Sequence, residues 1–186
     1  MKIGILTQPL HSNYGGLLQN YALQQSLIQL GHDVETIDWK GGGRLREALY
    51  RIKVTALHAL IPNRYPQLKY KPTNKELAII QRNNNHFIDT YINHTEIVRS
   101  FDGFIRQVEK GNYDAYIVGS DQCWRPCYNA FLYSMFLDFV QEKHVKRIAY
   151  AASFGTDKWE FTPQQTTICA SLAKKLTLYL SERIRG

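Results

Sequence analysis

The sequence contains no run of about 18 consecutive apolar residues, which is the length that a membrane-spanning helix needs. It also begins with a strand-like segment where a secretory signal would carry a charged head and an apolar core, so we expect a cytoplasmic protein. Cysteine is scarce, with Cys123, Cys127 and Cys169 forming an odd set. Such a set is typical of reduced thiols in a reducing compartment, and we expect no structural disulfide.

The sequence also lacks the motifs of several kinds of functional site. Cys123 and Cys127 have no further pair of ligands at zinc-site spacing, so no metal site is predicted. Gly15 and Gly16 lack the third glycine of the dinucleotide fingerprint, which argues against NAD. No Ser-His-Asp or Cys-His constellation can be assembled. His11 alone among the histidines lies beside a candidate ligand loop, and an ordinary solvent-facing histidine is the favoured interpretation there.

Positive charge is unevenly distributed along the chain. The formal net charge is +7, but the residues from Lys40 to His86 carry ten cations and two anions, and the rest of the chain carries about −1. Because the excess belongs to one segment and not to the candidate ligand loops, we do not expect the protein to bind nucleic acid.

Within the basic segment, residues from Arg44 to Ile61 alternate apolar and cationic positions at helical spacing. One interpretation is a peripheral contact with the inner face of an anionic membrane. The other, which we favour, is an ordinary surface helix packed on the domain.

The hydrophobic pattern predicts strands that alternate with helices. A helix follows Asn13 and ends at Gly31, and another begins in the capping box at Thr162. This order predicts one doubly wound α/β domain over residues 1–186 with a mostly parallel, Rossmann-like sheet. A basic helical excursion at about 41–112 interrupts the domain. Within the excursion we expect a helix from about Thr73 to Tyr91. The predicted strands are Lys2–Thr7, Val34–Trp39, Asp114–Ser120, Arg147–Ser153 and Leu176–Leu180.

Two polar loops follow predicted strands, and the carboxyl ends of parallel strands share one edge of a sheet. We therefore expect the loops to form one ligand crevice. Glycines and a helix N-terminus suit close approach of a phosphate or a hydroxyl in the first loop, whereas a carboxylate, an amide and an aromatic ring suit a sugar in the second. The candidate residues are Asn13, Gly15, Gly16, Gln19, Ser120, Asp121, Gln122 and Trp124.

Each loop has a plainer interpretation. Gly15 and Gly16 could serve only a tight turn from strand to helix. Asp121 could form an Asx-type turn, with Trp124 buried in the core.

Four motifs, in this order and spacing, resemble the polysaccharide pyruvyl transferase family over nearly the whole chain. They are Asn13-Tyr14-Gly15-Gly16-Leu17-Leu18-Gln19-Asn20-Tyr21-Ala22-Leu23, Asp114-Ala115-Tyr116-Ile117-Val118-Gly119-Ser120-Asp121-Gln122-Cys123-Trp124, Phe136-Leu137-Asp138-Phe139 and Ile148-Ala149-Tyr150-Ala151-Ala152-Ser153-Phe154-Gly155. The similarity is weak between Gly41 and Asn112. Cys123 stands where the family usually has an aliphatic residue, and Ser181-Glu182-Arg183 is a scrambled form of a family signature.

The resemblance implies an enzyme that transfers pyruvate from phosphoenolpyruvate to a sugar as a ketal, with no cofactor, in bacterial cell-surface polysaccharide synthesis. It also implies the N-terminal half of a fold similar to GT-B transferases. Because the family's second half supplies its acid and most cations for the donor, we expect this chain alone to be inactive and assign no catalytic residue. The acceptor is a sugar or a lipid-linked saccharide, with a second half or a homo-oligomer as further partner. The alternatives are a non-catalytic carbohydrate-binding or assembly module, and half of a GT-B glycosyltransferase.

Overall fold

The protein is described here from a computed structural model that covers residues 1–11, 13–40, 52–57, 59–60, 72–129 and 131–180. Residues 52–57 and 59–60 are helical, in agreement with the helix predicted there. The rest of the basic stripe from Arg44 to Ile61, the glycine triplet at 41–43 and the 181–183 signature lie outside the described residues.

Five strands form one sheet in the order β2-β1-β3-β4-β5, and every pairing is parallel. This confirms the predicted α/β class. The sequence order reverses where β1 lies between β2 and β3, so the crevice at the carboxyl ends of β1 and β3 is the topological switch point at which such sheets bind ligands. The strands are β1 (Lys2–Leu6), β2 (Asp33–Thr36), β3 (Ala115–Val118), β4 (Lys146–Tyr150) and β5 (Leu178–Leu180).

Helices cover both faces of the sheet. On β3, Ala115 and Ile117 pack in a cluster with residues of the first helix, whereas Tyr116 and Val118 point to the opposite face and its larger core. Alternate strand residues point to opposite faces of a sheet, so β3 is covered on both sides, as a doubly wound fold requires. The helices are α1 (Tyr14–Gln29), α2 (Asn74–Ile80), α3 (Arg82–Tyr91), α4 (Phe101–Gly111) and α5 (Pro163–Ala173), with a 3-10 helix at Leu132–Phe136.

The helix ends follow the capping signals in the sequence. Asn13 caps α1 through a hydrogen bond that its Oδ1 accepts from the amide of Gly16, and Gly31 beyond the helix takes a left-handed φ of 83°. Thr162 and Gln165 form the predicted reciprocal capping box at the start of α5. These caps fix α1 and α5 with their N-termini at the carboxyl edge of the sheet.

The middle of the chain differs from its predicted form. The helix expected from about Thr73 to Tyr91 divides at Gln81, because α3 turns its buried Asn84 and Ile88 toward the loop after β1. Residues 101–111, assigned by sequence to the excursion, form α4, whose Phe104 is fully buried in the core. Thus α4 belongs to the α/β domain as the crossover helix to β3, and the sequence analysis did not predict it.

A buried polar network fixes α1 against the sheet. Gln24 is completely buried, and its Nε2 donates to Thr36 Oγ1 and to the Asn93 carbonyl, at 2.7 Å each. Its Oε1 accepts from the Asn93 amide at 3.0 Å. Gln24 thereby couples α1 to both β2 and the segment after α3, through a buried bond to Thr36 and two partly buried bonds to Asn93. Within the described ranges, no helix is long and apolar enough to cross a bilayer.

Candidate functional site

The loops that follow β1 and β3 meet at the carboxyl edge of the sheet, as the sequence predicts. The Ser120 hydroxyl donates to Gln19 Oε1 at 2.9 Å, and Gln8 Nε2 donates to the Gln122 carbonyl at 3.2 Å. These two hydrogen bonds join segments more than 100 residues apart in sequence. Residues 7–11, 13–19 and 119–124 therefore form one rim, which we call the crevice.

A third loop, residues 151–155 after β4, supports the second one from behind. The Asp121 carbonyl accepts from the Ser153 amide at 2.9 Å, and the Ser153 carbonyl accepts from the Trp124 amide at 3.2 Å. Gly155 has a φ of 67°, and a side chain there would collide with Gln122. The backbone of the second loop is thus bonded to β4 as well as to the first loop, which makes the crevice a preformed feature.

The backbone at Gly119 and Asp121 takes unusual conformations. Gly119 has a φ of 134°, and a β-carbon there would collide with the carbonyl of Tyr150, so only glycine fits. Its peptide bond to Ser120 is cis. Asp121 adopts a left-handed φ of 72°, which is uncommon for residues other than glycine and occurs disproportionately at ligand sites.

The half-buried carboxylate of Asp121 forms no hydrogen bond or ion pair with the described residues. Its main-chain carbonyl, in contrast, accepts hydrogen bonds from the amides of Cys123 and Ser153. A fixed backbone with an uncommitted acceptor group is suited to accept hydrogen bonds from a ligand, and a carboxylate does so more strongly than a neutral group.

Gly15 and Gly16 lie in the first turn of α1, beside Asn13. A β-carbon on Gly15 would meet only Asn13 Oδ1 at 3.5 Å, which is an ordinary contact, whereas on Gly16 it would lie 3.0 Å from Asn13 Nδ2. Gly15 is exposed and has no positive φ. Neither turn geometry nor packing requires glycine at position 15, and close approach of a ligand to this helix N-terminus stays a prediction.

Trp124 does not present an open ring at the rim. It is 3% exposed, its indole N–H donates to the Met135 carbonyl at 2.7 Å, and its ring stacks on Phe136 at 4.8 Å. Trp124 is therefore a core residue, as in the plainer interpretation of the second loop. The prediction that its ring stacks on a sugar at the rim is wrong. Gln122 lies half-buried, and its Oε1 accepts from Arg125 Nη1 at 3.1 Å.

The thiol of Cys123 belongs to the structure of the second loop. It is fully buried and donates to the Ser120 carbonyl at 3.0 Å. Burial, followed by the nearby charge of Asp121, raises its pKa to about 12, so it remains a neutral thiol. All three cysteines are free. Within the described part of the chain, no cluster of three or more histidine, cysteine or acidic side chains is arranged to hold a metal ion.

Among the described residues, the cations Lys40 and Arg125 are each paired with a carboxylate, and the sequence did not reveal these pairs. Lys40 Nζ lies 3.1 Å from the carboxylate of buried Asp38, and Arg125 forms a two-pronged pair with Glu160 at 2.9 Å for each contact. His11 is exposed as a whole residue, but its ring is partly shielded from water. This shielding, followed by the positive charge of Lys40, lowers the pKa of His11. These pairs join residues distant in sequence or sit in irregular segments, where periodicity gives no signal.

A parallel α/β sheet with a crevice at its switch point, lined by hydroxyl, amide and carboxylate groups, is the arrangement in which α/β proteins commonly bind polar ligands. The family of polysaccharide pyruvyl transferases matches residues 13–181, which is most of the chain. The chain belongs to that family. Comparisons with curated proteins and with solved structures gave no significant match.

Proposed function

We propose that this chain forms the acceptor side of a pyruvyl transferase that moves pyruvate from phosphoenolpyruvate to a sugar in bacterial cell-surface polysaccharide synthesis. Family membership supports this activity. The crevice supports the acceptor side, because hydroxyl, amide and carboxylate groups of Ser120, Gln19 and Asp121 match the hydrogen-bonding groups of a saccharide. The uncommitted carboxylate of Asp121 at the rim is the observation that carries the proposal.

In the reaction, the enol carbon of phosphoenolpyruvate gains a proton and the central carbon loses phosphate. Two sugar oxygens bond to that carbon; one hydroxyl proton balances the new methyl group, and the other leaves on phosphate. Asp121 is proposed to accept a hydrogen bond from the attacking hydroxyl and so orient it. The scheme needs no cofactor, and phosphoenolpyruvate is a substrate.

The donor requires cations for its phosphate and carboxylate groups. Lys40 and Arg125 are already paired with Asp38 and Glu160. We therefore propose that the donor site and the catalytic acid come from a second domain, as in a GT-B-like arrangement, or from a partner chain. The residues described here would bind the acceptor and leave catalysis to the assembled protein.

The test measures sugar binding and turnover separately. A panel of pyranosides is titrated against the wild type, Asp121→Asn and Asp33→Asn; Asp33 is an exposed aspartate at the opposite edge of the sheet. A hydrogen bond to a charged group contributes about 1.5–3 kcal/mol and is roughly twice as strong as one to a neutral amide, so Asp121→Asn should weaken binding by about threefold to tenfold and Asp33→Asn should not.

Phosphate release from phosphoenolpyruvate is then followed with the tightest-binding sugar. This chain alone should release none, and turnover by it would contradict the donor-site proposal. Equal sugar affinity of the Asp121→Asn variant and the wild type would contradict the acceptor-side proposal.

A carbohydrate-binding module without catalysis is the second candidate. It is favoured by the same combination of saccharide-type groups and neutralised cations. Sugar binding without phosphate release, even when a second domain of the family is supplied, would support this candidate over the transferase.

A cytoplasmic location at the inner face of the membrane is part of the proposal. Three free cysteines suit a reducing compartment. Ile79 and Ile80 on α2 are 76% and 57% exposed and lie beside the basic residues Lys75 and Arg82, a combination that suits an anionic lipid surface.

A further inference from the structure

An open cavity of about 490 Å³ adjoins the crevice on its β4 side. One wall is aromatic, and the other is a single face of α5 that presents Thr166, Cys169, Ala170 and Ala173 at helical spacing. Its volume lies within the range of small-ligand sites. The five aromatic residues of the first wall are Trp124, Phe136, Phe154, Trp159 and Phe161.

The indole N–H groups of both tryptophans that line this cavity are hydrogen-bonded, and Lys174 contributes a charged side chain to the lining. The indole N–H of Trp159 donates to Thr166 Oγ1 at 3.0 Å, and that of Trp124 donates to the Met135 carbonyl. Burial raises the pKa of the Cys169 thiol to about 11, which keeps it uncharged. The walls therefore offer hydrocarbon and ring surfaces with few free hydrogen-bonding groups, which is unsuitable for a sugar and suitable for an apolar chain.

The cavity and the crevice are built from the same loops. Trp124 follows Asp121 and Gln122 directly in the second loop, and Phe154 adjoins the Gly155 that packs on Gln122. The eleven residues of α5 extend roughly 16 Å away from that junction. A single ligand can therefore place a polar group in the crevice and an extended apolar group along α5.

We propose that this cavity binds a hydrocarbon chain carried by the saccharide acceptor, so that the substrate is a lipid-linked sugar. The inference depends on the proposed function, because the crevice must hold the sugar. Burial of the chain against the rings supplies affinity, while the crevice positions the hydroxyls. The apolar wall also explains the exposure of Trp159, which is 56% exposed without such a ligand.

The probe is a glycoside with a terminally brominated decyl chain, used below its micellar concentration and compared with the methyl glycoside of the same sugar. Bromine quenches tryptophan fluorescence on contact. Trp124 and Trp159 line the cavity, whereas Trp39 is stacked between Phe104 and Phe131 elsewhere. We expect the decyl probe to quench tryptophan fluorescence saturably. The methyl glycoside should bind with lower affinity than the decyl glycoside.

Two variants of α5 make the assignment specific. Ala170→Phe fills the cavity from an exposed position, and the matched control Ser171→Phe adds the same side chain at an exposed neighbour outside it. Excluding two methylenes from the cavity would weaken probe binding by about tenfold in Ala170→Phe. Thermal unfolding of both variants verifies that they fold.

Equal probe affinity in the two variants, or quenching that does not depend on chain length, would overturn the proposal. A dimer that is disrupted by Ala170→Phe, together with no probe binding, would assign the cavity to a second copy instead. Asp121→Asn separates the two proposals, because it should weaken the sugar contribution while leaving quenching by the decyl chain saturable. Chain binding without any effect of Asp121→Asn would reject the saccharide crevice and retain the apolar site.

Discussion

Replacement of Gly15 by alanine should stabilise the fold and weaken ligand binding at once. Glycine within a helix costs about 0.5–1 kcal/mol relative to alanine. The added methyl group meets only Asn13 Oδ1, at 3.5 Å. Because Gly15 lies in the first turn, we expect a gain near the lower limit, about 0.5 kcal/mol in urea unfolding. A ligand in contact with this turn would lose at least one hydrogen bond, or about tenfold in affinity.

Ser26→Ala is the matched control on the same helix. Ser26 is exposed, and its hydroxyl bonds only the carbonyl of Ala22, at 2.9 Å. Its replacement should also stabilise α1, because alanine is the stronger helix former, but sugar affinity in the same calorimetric titration should not change. Full sugar affinity in the Gly15→Ala variant would refute the argument that this glycine serves a ligand.

Three further outcomes follow from the same geometry. Gln24→Ala removes three hydrogen bonds, each contributing about 1 kcal/mol, so the free energy of unfolding should fall by about 3 kcal/mol in urea, while exposed Gln29→Ala should have little effect. Burial raises the pKa of Cys123 from 9.0 to about 12; because the unfolded thiol ionises first, stability should decline above pH 9, and an equally steep decline in Cys123→Ala would contradict this reasoning. The protein should co-sediment with anionic vesicles at low salt and be released at high salt, and failure to bind at low salt would exclude the membrane contact.

The sheet was accessible from the sequence because its strands are buried runs that alternate with capped helices. Asn13, Gly31 and the Thr162 capping box predicted where α1 and α5 begin or end, since these signals depend only on neighbouring residues. The convergence of the first two loops also followed, because parallel strands share a carboxyl edge. The hydrogen bond from Ser120 to Gln19 confirms that part of the prediction.

Other features depend on contacts between distant residues and could not be read locally. Trp124 has the same polar neighbours in sequence whether its ring lies at the rim or in the core. Only its tertiary contact, the stacking on Phe136, distinguishes the two positions. The cavity along α5 requires rings from three separate segments. The pairing of Arg125 with Glu160 joins two irregular loops, for which no periodicity exists.

The proposed saccharide site is the crevice between the loops after β1 and β3. Amide chemical-shift mapping by NMR, during titration with the tightest-binding pyranoside, tests it most directly. We expect the largest shifts at Gly15, Gly16, Ser120 and Asp121. Shifts confined to the cavity at the opposite edge of the sheet, which is lined by Glu109, Asp114 and His144, would contradict it.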